Sequence, residues 1–486
     1  MRTPLLLSAA ALACVLALSG CKPVGPDYTR PGYHAPDAYK ETGAATVAPP
    51  NPANGSWTPA SPSDGMLRGK WWELYQDPQL NALEERIAID NHTLRQATET
   101  YLAAHALVAS ARSGLFPTIS AGPSIERDRL SRNRPSAGST THYNAFSLSG
   151  EASWEPDFWG RIRRNVEASH ASAQASAADL ATVDLSLHAE LASDYFTLRG
   201  TDAEIRLLKS TVDNLTEQLK LTEERQAGGV ATEVDVAQAR TQLETVRAQR
   251  IDLDNARAQA EHAIATLTGK NAAGFSLPAA PLDGALPRIP LGVPSQILER
   301  RPDIAAAERR TASANAEIGI AISAYYPNIG LSALGGFEST HSGTWLTGPS
   351  ALWTLGASAT ETLFDAGKRH ALTDEARHLY EAQAASYRET VLAAFNDVED
   401  QLAALRVLEQ ESGVEHGAVV SAQHSLDLSN ERYRGGVTSY LEVLTAESTL
   451  LTNQKTEIDL KTRQFLASVS LIRALGGGWD TTQLPK

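Results

Sequence analysis

The cysteines are the residues of this sequence whose positions most directly indicate chemistry. The 486 residues include two, Cys14 and Cys21. An apolar run over 5–18 follows a positively charged start, which is typical of a secretory signal and short for a membrane-spanning helix. Small residues at 19–20 before Cys21 are typical of a site where a cysteine thiol receives a lipid, although an ordinary signal with an incidental cysteine is the alternative. We therefore expect a lipoprotein-type signal peptide at 1–20 and a covalent lipid on Cys21.

The sequence contains no recognisable motif of an enzyme active site. It contains no His-Glu-x-x-His, no Gly-x-Ser-x-Gly, no Walker phosphate loop and no Gly-x-Gly-x-x-Gly placed after a predicted strand. The twelve histidines are scattered, and His370 and His378 do not lie on one helical turn as metal ligands would. We expect a protein that is not an enzyme, with no metal and no cofactor apart from the lipid on Cys21.

Composition excludes two further classes of protein. The net charge is -14, from 57 acidic and 43 basic residues, so there is no general excess of positive charge for binding nucleic acid. The mean hydropathy of -0.25 is too polar for a bundle of transmembrane helices.

A segment with a Gly-Gly pair occurs twice and divides the chain. Glu224–Val230 recurs as Glu431–Val437, a shift of 207 residues. Such self-similarity indicates an internal repeat. The predicted organisation is an extended lipid-anchored strap at 21–69, a first repeat at 70–270, a proline-rich linker at 271–294, a second repeat at 295–478 and a C-terminal tail at 479–486.

Long proline-free segments in each repeat carry apolar residues at every seventh position. In the first repeat this series is Leu191, Leu198, Ile205, Val212 and Leu219. Sustained heptads predict coiled-coil helices, and a helix of about sixty residues reaches roughly 90 Å. Since glycine tolerates the left-handed conformation at a helix C-terminus, the Gly-Gly pairs predict hairpin tips at 227–230 and 434–437.

Apolar and polar residues alternate ahead of each pair of long helices. The alternation predicts strands at about 118–127, 143–157, 328–338 and 351–364. Strands of this length and pattern are typical of outer-membrane barrels, although a soluble sheet with one hydrated face would read alike. Four strands leave open edges that lipid does not tolerate, so several chains must combine, and three would supply twelve strands.

Motifs spread over nearly all of the mature chain resemble a known family. They include Gly25-Pro26-Asp27-Tyr28, Trp154-Glu155-Pro156-Asp157-Phe158-Trp159-Gly160-Arg161, Arg300-Arg301-Pro302-Asp303-Ile304, Phe364-Asp365-Ala366-Gly367 and Ala474-Leu475-Gly476-Gly477-Gly478-Trp479. In this order they resemble the outer membrane factor family of TolC-like exit ducts, specifically its OprM/NodT lipoprotein branch.

The resemblance implies a fold, a location and a function. The fold is mainly α with a transmembrane β segment: a homotrimer shares one twelve-stranded β-barrel, which continues into a long periplasmic α-helical coiled-coil barrel. The implied function is that of an outer-membrane exit duct of a tripartite efflux pump, conducting drugs or other small molecules passively. The implied partners are a periplasmic adaptor, an inner-membrane transporter of the resistance-nodulation-division type and outer-membrane lipid. Lys22, rather than an aspartate, follows the lipid site, and this favours a location in the outer membrane over retention in the inner membrane.

A gate is expected where such a tunnel narrows at the hairpin tips. Asp235 and Glu442 follow the two Gly-Gly pairs by about two turns or less, and in a trimer each would form an acidic ring that admits cations. Leu441 matches the apolar constriction of the family. Thr445 and Ser448 depart from the family, which usually has an acidic and a basic residue there.

Other tip residues are expected to hold the gate closed or to contact the adaptor. Arg225, Arg432 and Tyr433 lie just before the turns, where they are placed to bridge neighbouring helices. The alternative is that the charged residues are solvated helix surface. The expected adaptor contacts are Gly228, Gly229, Val230, Gly435, Gly436 and Val437.

Two other functions fit parts of the pattern. An exit duct of a type I protein secretion system would have nearly the same sequence features. A periplasmic scaffold lipoprotein without a pore would have the long helices, but it would not need alternating strands.

Overall fold

The computed structural model describes residues 22–33, 35–42, 69–129, 131, 142–289, 291 and 294–485. The predicted signal peptide, Cys21 and residues 43–68 of the predicted strap lie outside this part of the chain. The helices of more than one turn are α1 (Pro78–Asp90), α2 (His92–Ser113), α3 (Arg161–Ala227), α4 (Glu233–Leu267), α5 (Pro302–Ser323), α6 (Lys368–Arg434) and α7 (Tyr440–Ala474). The strands are β1 (Thr118–Arg129), β2 (His142–Trp154), β3 (Asn328–Ser339) and β4 (Ala351–Thr360). Within the described ranges, no helix has both the length and the apolar character needed to cross a bilayer.

The described residues form two compact units, and each unit takes segments from both sequence repeats. The first unit comprises the described residues within 22–32, 100–176 and 306–387. The second unit comprises the described residues within 33–99, 177–305 and 388–485. The predicted repeats do not coincide with the two compact units, because the long helices α3 and α6 each contribute residues to both units.

The first unit contains one antiparallel sheet in the order β1-β2-β3-β4. Ile119 lies opposite Ala152, Ala152 opposite Ala333, and Ala333 opposite Leu355. Because directly paired residues project from the same face, this register collects most of the large apolar side chains on one face, while Leu334 and Leu352 lie on the other. The larger members of this apolar face are Ile119, Ile125, Phe146, Leu148, Trp154, Ile329, Leu331, Phe337, Trp353 and Leu355. The opposite, polar face is mostly serine, threonine, glycine and acidic residues.

Strands β2 and β4 end three and four residues before the predicted positions. In β2, Pro156 has no N–H for the ladder, and the carboxylate of Asp157 instead accepts the backbone N–H of Arg163 at 2.9 Å in the first turn of α3. In β4, Thr360 lies opposite Asn328, the first residue of β3, so later residues have no strand to pair with.

The described strap residues of the first unit are held against its helices and loops. The N–H of Val24 donates to the carbonyl oxygen of Trp159 at 3.0 Å. The guanidinium of Arg164 donates to the carbonyl oxygens of Val24 and Gly25 and to the carboxylate of Asp27, at 3.0–3.2 Å. The chain that follows Cys21 is thus tied to the unit that contains the sheet.

The second unit is a helical bundle with a heptad-like core. Leu208 and Leu215 of α3 are fully buried and pack with Leu243 and Val246 of α4. In the predicted series, Leu191 and Leu198 are fully buried, whereas Ile205, Val212 and Leu219 are half-buried. The heptad period therefore identified the helices, while packing selected which line of residues lies deepest.

The same unit buries an ionisable pair. Nδ1 of His188 lies 2.6 Å from Oε2 of Glu84, and the imidazole stacks on Trp72 with ring centroids 4.3 Å apart. Burial lowers the pKa of His188, but hydrogen bonds to Asp184 and Glu84 outweigh burial and raise it to about 9. Glu84 is completely buried, so loss of the imidazole would leave a buried carboxylate without its cation.

Candidate functional site at the helical hairpin tips

The two hairpin tips are built by the same backbone hydrogen bonds. At the first tip, the N–H of Val230 donates to the carbonyl oxygen of Arg225 at 2.9 Å. At the second, the N–H of Val437 donates to the carbonyl oxygen of Arg432 at 2.9 Å. These contacts cap the last carbonyl groups of α3 and α6 and turn the chain into α4 and α7.

The two glycines of each pair have different roles. Gly229 and Gly436 have φ angles of +75° and +72°, which an L side chain rarely adopts. Gly228 and Gly435 lack a positive φ, and a Cβ atom on either would meet backbone oxygens at ordinary contact distances. Only the second glycine of each pair is therefore required by the turn.

A buried aromatic cluster connects the two hairpins. The guanidinium carbon of Arg225 lies 4.7 Å from the centre of the Tyr433 ring, a cation–π contact between α3 and α6. The rings of Tyr433 and Tyr440 are 5.5 Å apart, and both side chains are buried. The hydroxyl of Tyr440 donates to Oε1 of Gln218 on α3 at 3.3 Å. The structure thus brings together Arg225 and Tyr433, two of the residues that were expected to bridge neighbouring helices.

The two predicted acidic residues have different local partners. Asp235 closes a capping box, because its carboxylate accepts the backbone N–H of Thr232 at 2.8 Å. At the equivalent place in the second repeat, Ser439 makes no such side-chain bond. Glu442 instead lies 3.4 Å from a guanidinium nitrogen of Arg432, and both side chains are about half-exposed. Asp235 therefore stabilises the start of α4, whereas the Glu442 pair ties α6 to α7.

The tips expose apolar side chains beside these charges. Val230, Val437 and Leu441 are 69%, 72% and 54% exposed. Leu441 also lines a groove of about 530 Å³ between α6 and α7, together with Arg432 and Glu442. Exposed apolar residues rimmed by charges are typical of a surface that contacts another protein.

Glu447 is a tip residue that the sequence analysis did not single out. Its side chain is 5% exposed, and Oε2 has no hydrogen-bond partner among the described residues. Burial raises the pKa of this carboxyl to about 7. A seven-residue step from Tyr440 along α7 was the available signal, since it places an acidic residue on the apolar seam.

Known proteins share this arrangement of sheet and helical hairpins. The pattern of the outer membrane efflux protein family matches residues 83–270 and 293–477. This chain belongs to the outer membrane efflux protein family. Among its efflux relatives, the antibiotic efflux pump outer membrane protein ArpC of Pseudomonas putida is 31% identical over 480 residues, covering 98% of this chain and 96% of ArpC.

Two solved structures of outer-membrane channels have the same fold as this efflux protein. OprN is 30% identical, with a TM-score of 0.83, and the match covers 94% of this chain and 99% of OprN. The open state of MtrE from Neisseria gonorrhoeae is 26% identical, with a TM-score of 0.80, and the match covers 94% of this chain and 98% of MtrE.

Family membership confirms three predictions from the sequence. The chain is an outer-membrane efflux protein, it acts as an exit duct, and it extends into the periplasm. Its fold is that of TolC-like channels, mainly helical with a small antiparallel sheet. The relatives are efflux channel proteins rather than enzymes, and an efflux function replaces the scaffold alternative.

Proposed function

We propose that three copies of this chain close a twelve-stranded barrel in the outer membrane, which continues into a helical tunnel. The observation that carries this proposal is the sheet register, which places most of the large apolar side chains on one face. Trp353 and Leu355 on that face are 76% and 73% exposed, as expected for side chains that meet lipid. The edges β1 and β4 are unpaired within the described sheet, so joining β4 of one chain to β1 of the next removes every open edge.

The duct conducts small molecules as the outer-membrane stage of a tripartite pump. Among the relatives, ArpC is named for antibiotic efflux, which favours drug efflux over type I protein secretion. The partners are a periplasmic adaptor and an inner-membrane transporter of the resistance-nodulation-division type. The exposed side chains of Val230 and Val437 support adaptor contact at the hairpin tips, because they offer apolar area at the end of each hairpin.

The periplasmic gate is held closed by contacts that link the helical hairpins. Arg225 on Tyr433 connects the first hairpin to the second, and Arg432 with Glu442 connects the two helices of the second. Opening requires these helices to repack, and contact with an adaptor would bias that equilibrium. Glu442 and Leu441 are better placed than Asp235 to face the passage, because the capping box already engages the Asp235 carboxylate.

The lipid on Cys21 anchors the chain at the sheet-bearing unit. The strap directly after it is tied to Trp159 and Arg164, so the acyl chains would enter the membrane beside the sheet. A Cys21→Ala variant with a cleavable signal is expected to trimerise and form pores. Failure to trimerise would show that the lipid is needed for assembly.

Single-channel conductance in a planar bilayer tests the gate. The unmodified protein should show a small, cation-selective conductance. The variants Arg225→Gln and Glu442→Gln should conduct more, because each removes a contact between tip helices. Arg247→Gln is the matched control, since it removes an exposed ion pair with Glu244 that lies within the single helix α4. Equal conductance in all four proteins would refute this gate, and a monomeric particle would refute the barrel.

A further inference from the structure

The charged residues of the sheet are divided between its two faces. In β1 to β4, the basic side chains all fall on the apolar face: Arg127, Arg129 and His142. The acidic positions all fall on the polar face: Glu126, Asp128, Glu151 and Glu338.

These three basic side chains lie together at the loop end of the apolar face. Arg129 lies opposite His142, and Arg127 lies opposite Asn144, in the last rungs of the β1–β2 ladder. All of these side chains are exposed. The large apolar side chains of this face begin at Ile125, two residues before Arg127 and about 7 Å from it along the strand.

An aromatic pair marks the level at which the apolar face ends. Phe146, which lies opposite Ile125, packs against Trp345 with ring centroids 5.8 Å apart. The buried indole N–H of Trp345 has no acceptor among the described residues. Tryptophan is enriched where the hydrocarbon of a membrane meets its headgroups, so the cations next to this pair lie at headgroup depth.

We infer that Arg127, Arg129 and His142 bind the phosphate groups of a phosphorylated glycolipid in the outer leaflet. The inference rests on the proposed barrel, which turns the apolar face to lipid and the loop end outward. Guanidinium groups bind phosphate through paired N–H donors, and the adjoining apolar face accommodates acyl chains. A cation on this face and at this depth meets lipid headgroups rather than the lumen of the duct.

Titration of the purified trimer with a diphosphorylated, acylated disaccharide tests this site. The same lipid without phosphates and inorganic phosphate are the comparison ligands. The double variant Arg127→Gln, Arg129→Gln should bind the phosphorylated lipid about 30-fold more weakly. The double variant Arg247→Gln, Arg250→Gln removes the same charge from an exposed face of α4 and should bind like the unmodified protein.

The possible results separate this site from the proposed barrel. Pores that bind both lipid forms equally, or an Arg127/Arg129 variant with unchanged binding, would overturn the glycolipid site and leave the barrel standing. Inorganic phosphate that competes at the concentration of the lipid would assign the site to free phosphate and also overturn it. A protein that forms no pore would refute the barrel and, with it, this site.

Discussion

Replacing Glu447 by glutamine is expected to stabilise the helical hairpins at neutral pH. The side chain of Glu447 is nearly inaccessible, and one of its oxygens lacks a partner among the described residues. A buried charge without a cation is unfavourable, whereas an uncharged amide of the same size avoids most of that cost.

The magnitude follows from the pKa of the carboxyl group. Burial raises the pKa of Glu447 from its ordinary value of 4.5 to about 7. Below pH 4.5 the carboxyl is protonated in both folded and unfolded chains. Between pH 4.5 and 7 the unfolded chain releases its proton first, so the free energy of unfolding falls as the pH rises. At about 1.4 kcal/mol for each pH unit, the loss reaches about 3 kcal/mol per chain above pH 7.

Unfolding of the purified protein, followed by helical circular dichroism at pH 4.5 and pH 8, measures this effect. Glu447→Gln should match the unmodified protein at pH 4.5 and exceed its stability at pH 8. Glu431→Gln is the control, because Glu431 is an exposed carboxylate near the same tip. If the two variants show the same pH dependence as the unmodified protein, Glu447 does not carry a buried charge.

Three other substitutions test separate parts of the helical hairpins. Gly229→Ala should destabilise the first tip by about 1–2 kcal/mol because the φ of Gly229 is positive, whereas Gly228→Ala should leave the tip unchanged. Amide hydrogen exchange in the adjoining turns measures this, and it should become faster only in Gly229→Ala. Thr232→Ala should lower the stability of the start of α4 by about 1 kcal/mol because the N-cap is lost, whereas Ser439→Ala should leave the start of α7 unchanged. Equal changes in amide hydrogen exchange at the two helix starts would contradict this. The pKa of His188 is raised to about 9, so the stability that its charged form contributes is complete below pH 6.5 and is lost as the pH rises to 9. If the stability of His188→Gln depends on pH over that interval as that of the unmodified protein does, the ionic pair is excluded.

The element order and the tips were predictable from the sequence because both depend on local patterns. A seven-residue apolar period identified the long helices, and Gly229 and Gly436 identified where they turn. The contact of Arg225 with Tyr433 joins segments about 200 residues apart, so only packing could select that pair. The burial of Glu447 also depends on packing, and it runs against the usual expectation that an acidic residue on a long helix is solvated.

By itself, the sequence determined long heptad helices closed by glycine turns, alternating strands and membership of an efflux family. These follow from backbone preferences and from the spacing of apolar residues along one segment. Only the tertiary structure decided that Asp235 caps a helix while Glu442 pairs with Arg432, because neither partner choice is encoded in the repeat itself. The strand register likewise decided which charges share a face with the apolar side chains, since a slip of one residue would exchange the two faces.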